Sequence, residues 1–404
     1  MGPITRRRFL GTVGLAGVAA VAAACRAALV SPSPSLVPTP SPPPTPSAAP
    51  SATPSAGPSL RDKIGQMLLV GFRGLTLEES GSIVADIRDH ALGGVVLFDY
   101  DTPTRTPVRN VQSPQQLRTL VAGLQAAAAI PLITAIDEEG GLVARLDQRH
   151  GFPPTVSEQE MGFRDDPAYT RQQAGAMGHT LRSVGINLNL APVVDLNVNP
   201  DNPIIGSLGR SFSADPAVVT EQATAFIEAE HAVGVRCTIK HFPGHGSSTG
   251  DTHLGVVDVT GTWSPVELEP FRNLVSVGLP DAILTAHVFN AKLDPKYPAT
   301  LSHAAITGIL RGQLGWDKVV LSDDMQMGAI RDAFGYADAL RLAIEAGIDI
   351  LTIANQQVFE VGIVSHTIDL IEEMVSSGQI HADRIDGSYR RIQAFKAGLA
   401  VGTG

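Results

Sequence analysis

The chain reads as an α/β protein, a (β/α)8 TIM barrel forming a single catalytic domain behind an export signal and a Pro/Ser-rich linker. Three observations point there: eight short apolar runs alternate with longer amphipathic segments after Leu60, four helical segments close on a glycine that leads straight into such a run, and five consecutive runs end in Asp, Lys or His. Parallel strands buried on both faces are continuously apolar. Eight strand-helix units imply closure, with a doubly wound sheet as the alternative.

The elements follow in chain order. Residues 1–25 carry Thr5-Arg6-Arg7-Arg8-Phe9-Leu10, an uncharged apolar stretch, and Ala22-Ala23-Ala24-Cys25. A charged start, an apolar centre and small residues before a cut site make an export signal, here twin-arginine-like. Gly11 to Ala24 is shorter than the roughly 20 residues a membrane span needs. Cys25 after three alanines resembles a lipoprotein cleavage site, so a lipid on Cys25 is the one membrane attachment expected. Residues 26–59 are dominated by Pro, Ser, Ala and Thr. They cannot bury a core and read as a semi-rigid spacer.

The barrel domain is expected over residues 60–404. Its strands are Met67–Phe72, Gly94–Phe98, Leu132–Asp137, Ile186–Val194, Val235–Lys240, Ala282–His287, Val319–Ser322 and Ile348–Ile353. Ser113-Pro114, Asp215-Pro216 and Ser264-Pro265 are cap-then-proline helix starts. Gly185, Gly234, Gly278 and Gly347 mark helix ends that feed strands.

Composition excludes some functions. A net charge of −10 with 30 basic and 40 acidic side chains leaves no basic footprint for nucleic acid. Two cysteines, Cys25 and Cys237, give no disulfide framework, and Cys237 lies in an apolar run as a small buried hydrophobe.

Barrel chemistry collects at the C-terminal ends of the strands. The polar residues there are Asp137, Asp195, Lys240 with His241, His287, Asp323 with Asp324, and Asn355. The densest stretch, Lys240 to His253, holds His241, His245, Asp251 and His253 among Gly244, Gly246 and Gly250. It admits a metal site, a solvated loop or a catalytic loop. Against metal, an ammonium adjoins the would-be ligands and no helical i, i+4 face exists. As a catalytic loop, Asp251 orients His253, a carboxylate fixing the tautomer of a general acid/base. At the end of the seventh strand, Asp323 could attack an anomeric carbon, or it or Asp324 could cap the next helix.

These residues resemble glycoside hydrolase family 3, specifically its β-N-acetylhexosaminidase branch. The resemblance runs from about Leu60 to Ala400 through Lys240–His253, Ser322-Asp323-Asp324, Asp137-Glu138-Glu139-Gly140-Gly141 with Arg145, Ala191-Pro192-Val193-Val194-Asp195, Gly209-Arg210-Ser211-Phe212, Thr285-Ala286-His287 and Pro298-Ala299-Thr300-Leu301-Ser302. It implies Asp323 as nucleophile, His253 as acid/base held by Asp251, and Asp137, Arg145, Arg210, Lys240 and His241 as sugar ligands, with Asp195, His287 and Asn355 in supporting places. Leu142 stands where the family commonly has arginine, and the second strand exits into Asp99-Tyr100. No metal or cofactor is expected, and the partner is a carbohydrate. The implied reaction is removal of terminal β-linked N-acetylglucosamine from cell-wall or chitin-like oligosaccharides outside the cytoplasm. A β-glucosidase or a phosphorylase of the same family, a metal-dependent hydrolase on the same fold and a non-catalytic surface sugar-binding lipoprotein are the alternatives. Oligomeric state is not written in the residues.

Overall fold

The computed structural model describes residues 57–399; the expected signal segment, Cys25 and the linker as far as residue 56 lie outside the described residues. Eight strands form one parallel sheet: β1 Leu68–Gly71, β2 Gly94–Val96, β3 Ile133–Ile136, β4 Leu188–Asn189, β5 Arg236–Phe242, β6 Ala282–Thr285, β7 Val319–Leu321 and β8 Leu351–Ile353. Neighbours in sequence are neighbours in the sheet, and β8 pairs in parallel with β1 through Leu68↔Leu351 to Val70↔Ile353. A doubly wound sheet would reverse its strand order, so that alternative falls. The seam between β7 and β8 closes through a parallel bridge, Leu321↔Ile350, and the Ser322 hydroxyl accepts the Thr352 N–H at 2.9 Å.

Helices cover the outside between successive strands, among them Pro114–Ala127, Pro167–Ser183, Pro216–Ala232 and Tyr336–Ala346. Ser113, Asp215 and Ser264 accept N–H groups of their first turns as expected, the last opening a short 3-10 turn, Pro265–Leu268. The four joint glycines all have positive φ, between 67° and 122°, the conformation that Cβ disfavours in other residues. Among the described residues no helix is long and apolar enough to cross a membrane.

All eight strands keep their expected places with shifted bounds, and two of the shifts shape the barrel mouth. The run Ile186–Val194 forms a regular ladder only at Leu188 and Asn189; Pro192 has no N–H to donate, and pairing with β5 resumes as an isolated parallel bridge between Val193 and Lys240. Conversely, β5 runs past Lys240 to Phe242, and its pairing with β6 shifts register between Ile239 and Phe242. In a regular strand consecutive side chains face opposite ways. The irregularity lets the adjacent Lys240 and His241 both reach the mouth, where they line one cavity.

At the other end of the barrel the fully buried Asp349 carboxylate ties β8 to its surroundings. It accepts hydrogen bonds from Arg311 at 2.7 Å, Ser388 at 2.7 Å, Arg391 at 3.2 Å and the Val320 N–H at 3.1 Å. Polar networks at this end of a barrel read as stability.

Candidate active site

One wall of the barrel mouth is a packed charge cluster. Lys240, at the end of β5, places its ammonium 2.7 Å from Asp137 Oδ1 and 2.6 Å from Glu139 Oε1. Arg210 donates to the same Glu139 through Nε at 2.7 Å and Nη2 at 2.8 Å, and through Nη1 to the Ile204 carbonyl. Glu139 is brought there by a tight hairpin, Glu138–Gly140 with Val143–Ala144, that follows β3. Burial opposes ionisation of Glu139, yet Arg210 and Lys240 hold its carboxyl well below the usual range. Burial also opposes the charge on Asp137, and Lys240 and Arg145 again outweigh it. The Lys240 ammonium stays charged for the reciprocal reason, Asp137 and Glu139 overcoming its desolvation.

His241 joins this wall with its ring fixed. Asp195, fully buried, accepts from His241 Nδ1 at 2.6 Å and from the His245 N–H at 2.7 Å. Burial would raise the Asp195 pKa, but His241 and His245 keep it low. An ionised carboxylate only accepts, so Nδ1 carries hydrogen and Nε2, 3.3 Å from Arg210 Nη2, points the other way. Arg145 is held loosely, 3.7 Å from Asp137 and 3.9 Å from Asp99. Its donors are therefore not consumed by those ion pairs.

Asp323 leaves the end of β7 with its Oδ1 accepting the Asp324 N–H at 2.8 Å. Burial pushes the carboxyl up, and His287, His241, His253 and that N–H together pull it below the ordinary aspartate value. Asp324 goes the other way, to about 6, through burial. Adjacent carboxyls with diverging pKa values have different work to do. Asp324 Oδ1 accepts the N–H groups of Gln326 at 3.1 Å and Ala354 at 2.9 Å, and its carbonyl accepts His287 Nε2–H at 3.0 Å. The expectation that one of the two aspartates caps the next helix is corrected: that helix, Gly328–Phe334, begins after Met327, and Asp324 instead pins the turn and the end of β8.

The third part is the loop after β5. Its first turn is set by close contact: a Cβ on Gly246 would lie 1.7 Å from the Leu196 carbonyl oxygen. Asn202 Nδ2 donates to the His245 and Gly246 carbonyls, and Trp263 Nε1 donates to the Pro243 carbonyl at 3.0 Å. Further along, Asp251 Oδ1 accepts both the His253 backbone N–H at 2.8 Å and ring Nδ1 at 2.7 Å. Nδ1 is thereby occupied, which leaves Nε2 of a half-exposed imidazole for proton exchange.

The barrel brings all eight expected site residues, Asp137, Arg145, Arg210, Lys240, His241, Asp251, His253 and Asp323, around one cavity of about 490 Å³. Pockets of this size hold small ligands. Two cavity residues named in the sequence motifs without a role are Glu139, the carboxylate on which Lys240 and Arg210 converge, and His245, whose pKa burial and His241 lower to about 4. The acidic run after β3 was visible in sequence, but nothing in it singled out Glu139 over Glu138. Asp195 and His287 are the supports described above, and Asn355 lies outside the cavity, bonded to the Glu360 backbone. The loop histidines do not converge as metal ligands. Among the described residues the one group with converging ligand atoms is Asp99, Asp147 and His150, and there the Arg149 guanidinium ion-pairs with both aspartates.

Residues 59–395 match the sequence family described as the glycosyl hydrolase family 3 N terminal domain. The chain is 32% identical to the beta-hexosaminidase A of Pseudoalteromonas piscicida over 83% of its own length and 60% of that protein's. It is 38% identical to a beta-hexosaminidase of Xylella fastidiosa strain M23 over 72% of this chain and 84% of that one. Among solved structures, a glycoside hydrolase family 3 beta-N-acetylglucosaminidase from Paenibacillus sp. str. FPU-7 superposes with a TM-score of 0.77 at 35% identity, covering 86% of this chain and 64% of that one. The chain thus spans less than two thirds of two of these three relatives.

Proposed function

Because the chain belongs to glycosyl hydrolase family 3, we propose that it is a retaining β-N-acetylhexosaminidase that releases terminal, non-reducing β-linked N-acetylglucosamine. The observation that carries this reading is the shared cavity. An aspartate kept ionised, Asp323, lines it together with the Asp251–His253 pair and a wall of fixed donors and acceptors. In the first step His253 Nε2–H gives its proton to the departing glycosidic oxygen while Asp323 attacks the anomeric carbon. In the second, His253 removes a proton from water, which displaces Asp323 and restores both groups. Two inversions give net retention.

Asp137, Arg145, Arg210, Lys240 and His241 are the sugar ligands in this scheme. Charge-assisted bonds to hydroxyl groups are strong and directional, and the cluster is already ordered by Glu139 and Asp195 before any sugar arrives. The names of the relatives, two beta-hexosaminidases and a beta-N-acetylglucosaminidase of known structure, support the N-acetylated sugar. The export reading of residues 1–25 and the spacer 26–59 support substrates outside the cytoplasm, cell-wall or chitin-like oligosaccharides, with Cys25 as a lipid attachment point.

The test is an assay on aryl β-N-acetylglucosaminide against aryl β-glucoside, with and without phosphate. Preference for the first and release of the free sugar in both buffers is expected. Faster turnover of the glucoside would favour a β-glucosidase, a sugar 1-phosphate product a phosphorylase, and binding without turnover a surface sugar-binding protein.

A further inference from the structure

The acid/base loop is seated on the segment that carries the nucleophile. Five residues after Asp323 the helix Gly328–Phe334 begins, and its first two N–H groups point at the loop: Gly328 N–H donates to the His253 carbonyl at 3.3 Å and Ala329 N–H to the Thr252 carbonyl at 3.2 Å. The opening N–H groups of a helix have no partner within it, so these two are available to hold the loop. Thr252 is buried in the seat, whereas the His253 side chain stays half-exposed on the cavity lining and Leu254 is 85% exposed.

Contact at Gly328 leaves no room for a side chain. Its φ is ordinary, yet a Cβ there would lie 2.9 Å from the His253 carbonyl oxygen, 3.2 Å from the Leu254 carbonyl carbon and 3.4 Å from the Gly255 nitrogen. All three are backbone atoms of the loop, which cannot swing aside as the end of a flexible side chain would. The other end of the connection is equally fixed. Asp324 holds the intervening turn through the Gln326 and Ala354 N–H groups, and the Met327 N–H donates to the Asp324 carbonyl at 3.0 Å.

We infer that Gly328 is a positioning residue for the acid/base: its bare Cα and the two helix N–H groups set the height of His253 above the cavity relative to Asp323, so that one short segment fixes the spacing between both halves of the catalyst. The inference rests on the roles proposed above for Asp323 and His253. Gly328 itself touches no substrate. Its effect passes through the backbone at 252–254.

The experiment compares wild type, Gly328→Ala, His253→Ala and the double variant on two substrates, a dinitrophenyl β-N-acetylglucosaminide whose leaving group needs no proton and an N-acetylglucosamine disaccharide whose leaving group does. Gly328→Ala is expected to lose about tenfold or more in kcat/KM on the disaccharide and less than about threefold on the aryl substrate. It should cause no further loss in the His253→Ala background. Equal losses on both substrates, or additive losses in the double variant, would overturn the inference while leaving the acid/base role standing. If His253→Ala itself lost activity equally on both, the acid/base reading and the inference would fall together. Should the Gly328 variant not fold, hydrogen exchange of the unmodified protein decides. The Gly328 and Ala329 amides are expected to be protected, and exchange at the rate of open chain would contradict the seat.

Discussion

Arg210 grips Glu139 through two hydrogen bonds of 2.7 and 2.8 Å, and Lys240 meets the same carboxylate at Oε1, 2.6 Å away. Bidentate geometry of this kind fixes direction as well as distance. Glu139 thereby orients two of the proposed sugar ligands without needing to touch the reacting carbon. Glu139→Gln keeps the volume and removes the charge both cations share. KM is expected to rise by about tenfold or more, the equivalent of about 1.4 kcal/mol, with a smaller change in kcat. Steady-state kinetics check this, and an unchanged KM would contradict it.

Asp251→Asn tests the histidine half of the catalyst. An amide can still meet Nδ1 but cannot stabilise the imidazolium that donates its proton to the departing glycosidic oxygen. On an unactivated oligosaccharide kcat/KM is expected to fall by about 100-fold, with less effect on kcat/KM for an aryl substrate whose leaving group needs no acid. A loss independent of leaving group would count against the pair.

Glu230 links stability to pH. It is fully buried, accepts from Asn189 Nδ2 at 2.9 Å and from the Cys237 thiol at 3.3 Å, and burial raises its pKa to about 8. Between the ordinary value of 4.5 and about 8 the folded protein therefore holds a proton the unfolded chain has released. Stability from this group is full below that window and declines as pH rises through it, by at most about 1.4 kcal/mol per pH unit. Glu230→Gln is expected to flatten the fall in melting temperature between pH 5 and 8. Glu138, raised by burial to about 8 as well, keeps part of the slope.

Asp349→Asn probes the opposite end of the barrel. Breaking a fully buried pair while its arginines stay costs about 3–5 kcal/mol. Urea denaturation should show a loss of that order. KM is expected to stay unchanged, because Asp349 lies outside the cavity.

Much of this architecture is legible in the sequence because it is local. Apolar runs, cap-then-proline starts and joint glycines depend on neighbours a few residues away; the caps and glycines fall where the pattern places them, and the runs mark the strands but not their ends. The loop pair Asp251–His253 is legible for the same reason. The Glu139–Arg210 and Asp195–His241 contacts are not, since barrel closure brings together residues 71 and 46 positions apart. The helix cap expected of Asp323 or Asp324 fails on a similar ground. The turn after β7 is stabilised by the backbone of β8, which local spacing does not reveal.

The most direct test of the two-part catalyst uses its own asymmetry. In His253→Ala a dinitrophenyl leaving group departs without an acid, whereas the second step lacks its base, so the glycosyl-enzyme should accumulate. Intact-protein mass measured during turnover is expected to show one added N-acetylhexosaminyl group, mapped by peptide digestion to Asp323. Turnover with no adduct, or an adduct on another residue, would contradict the assignment of Asp323 as nucleophile.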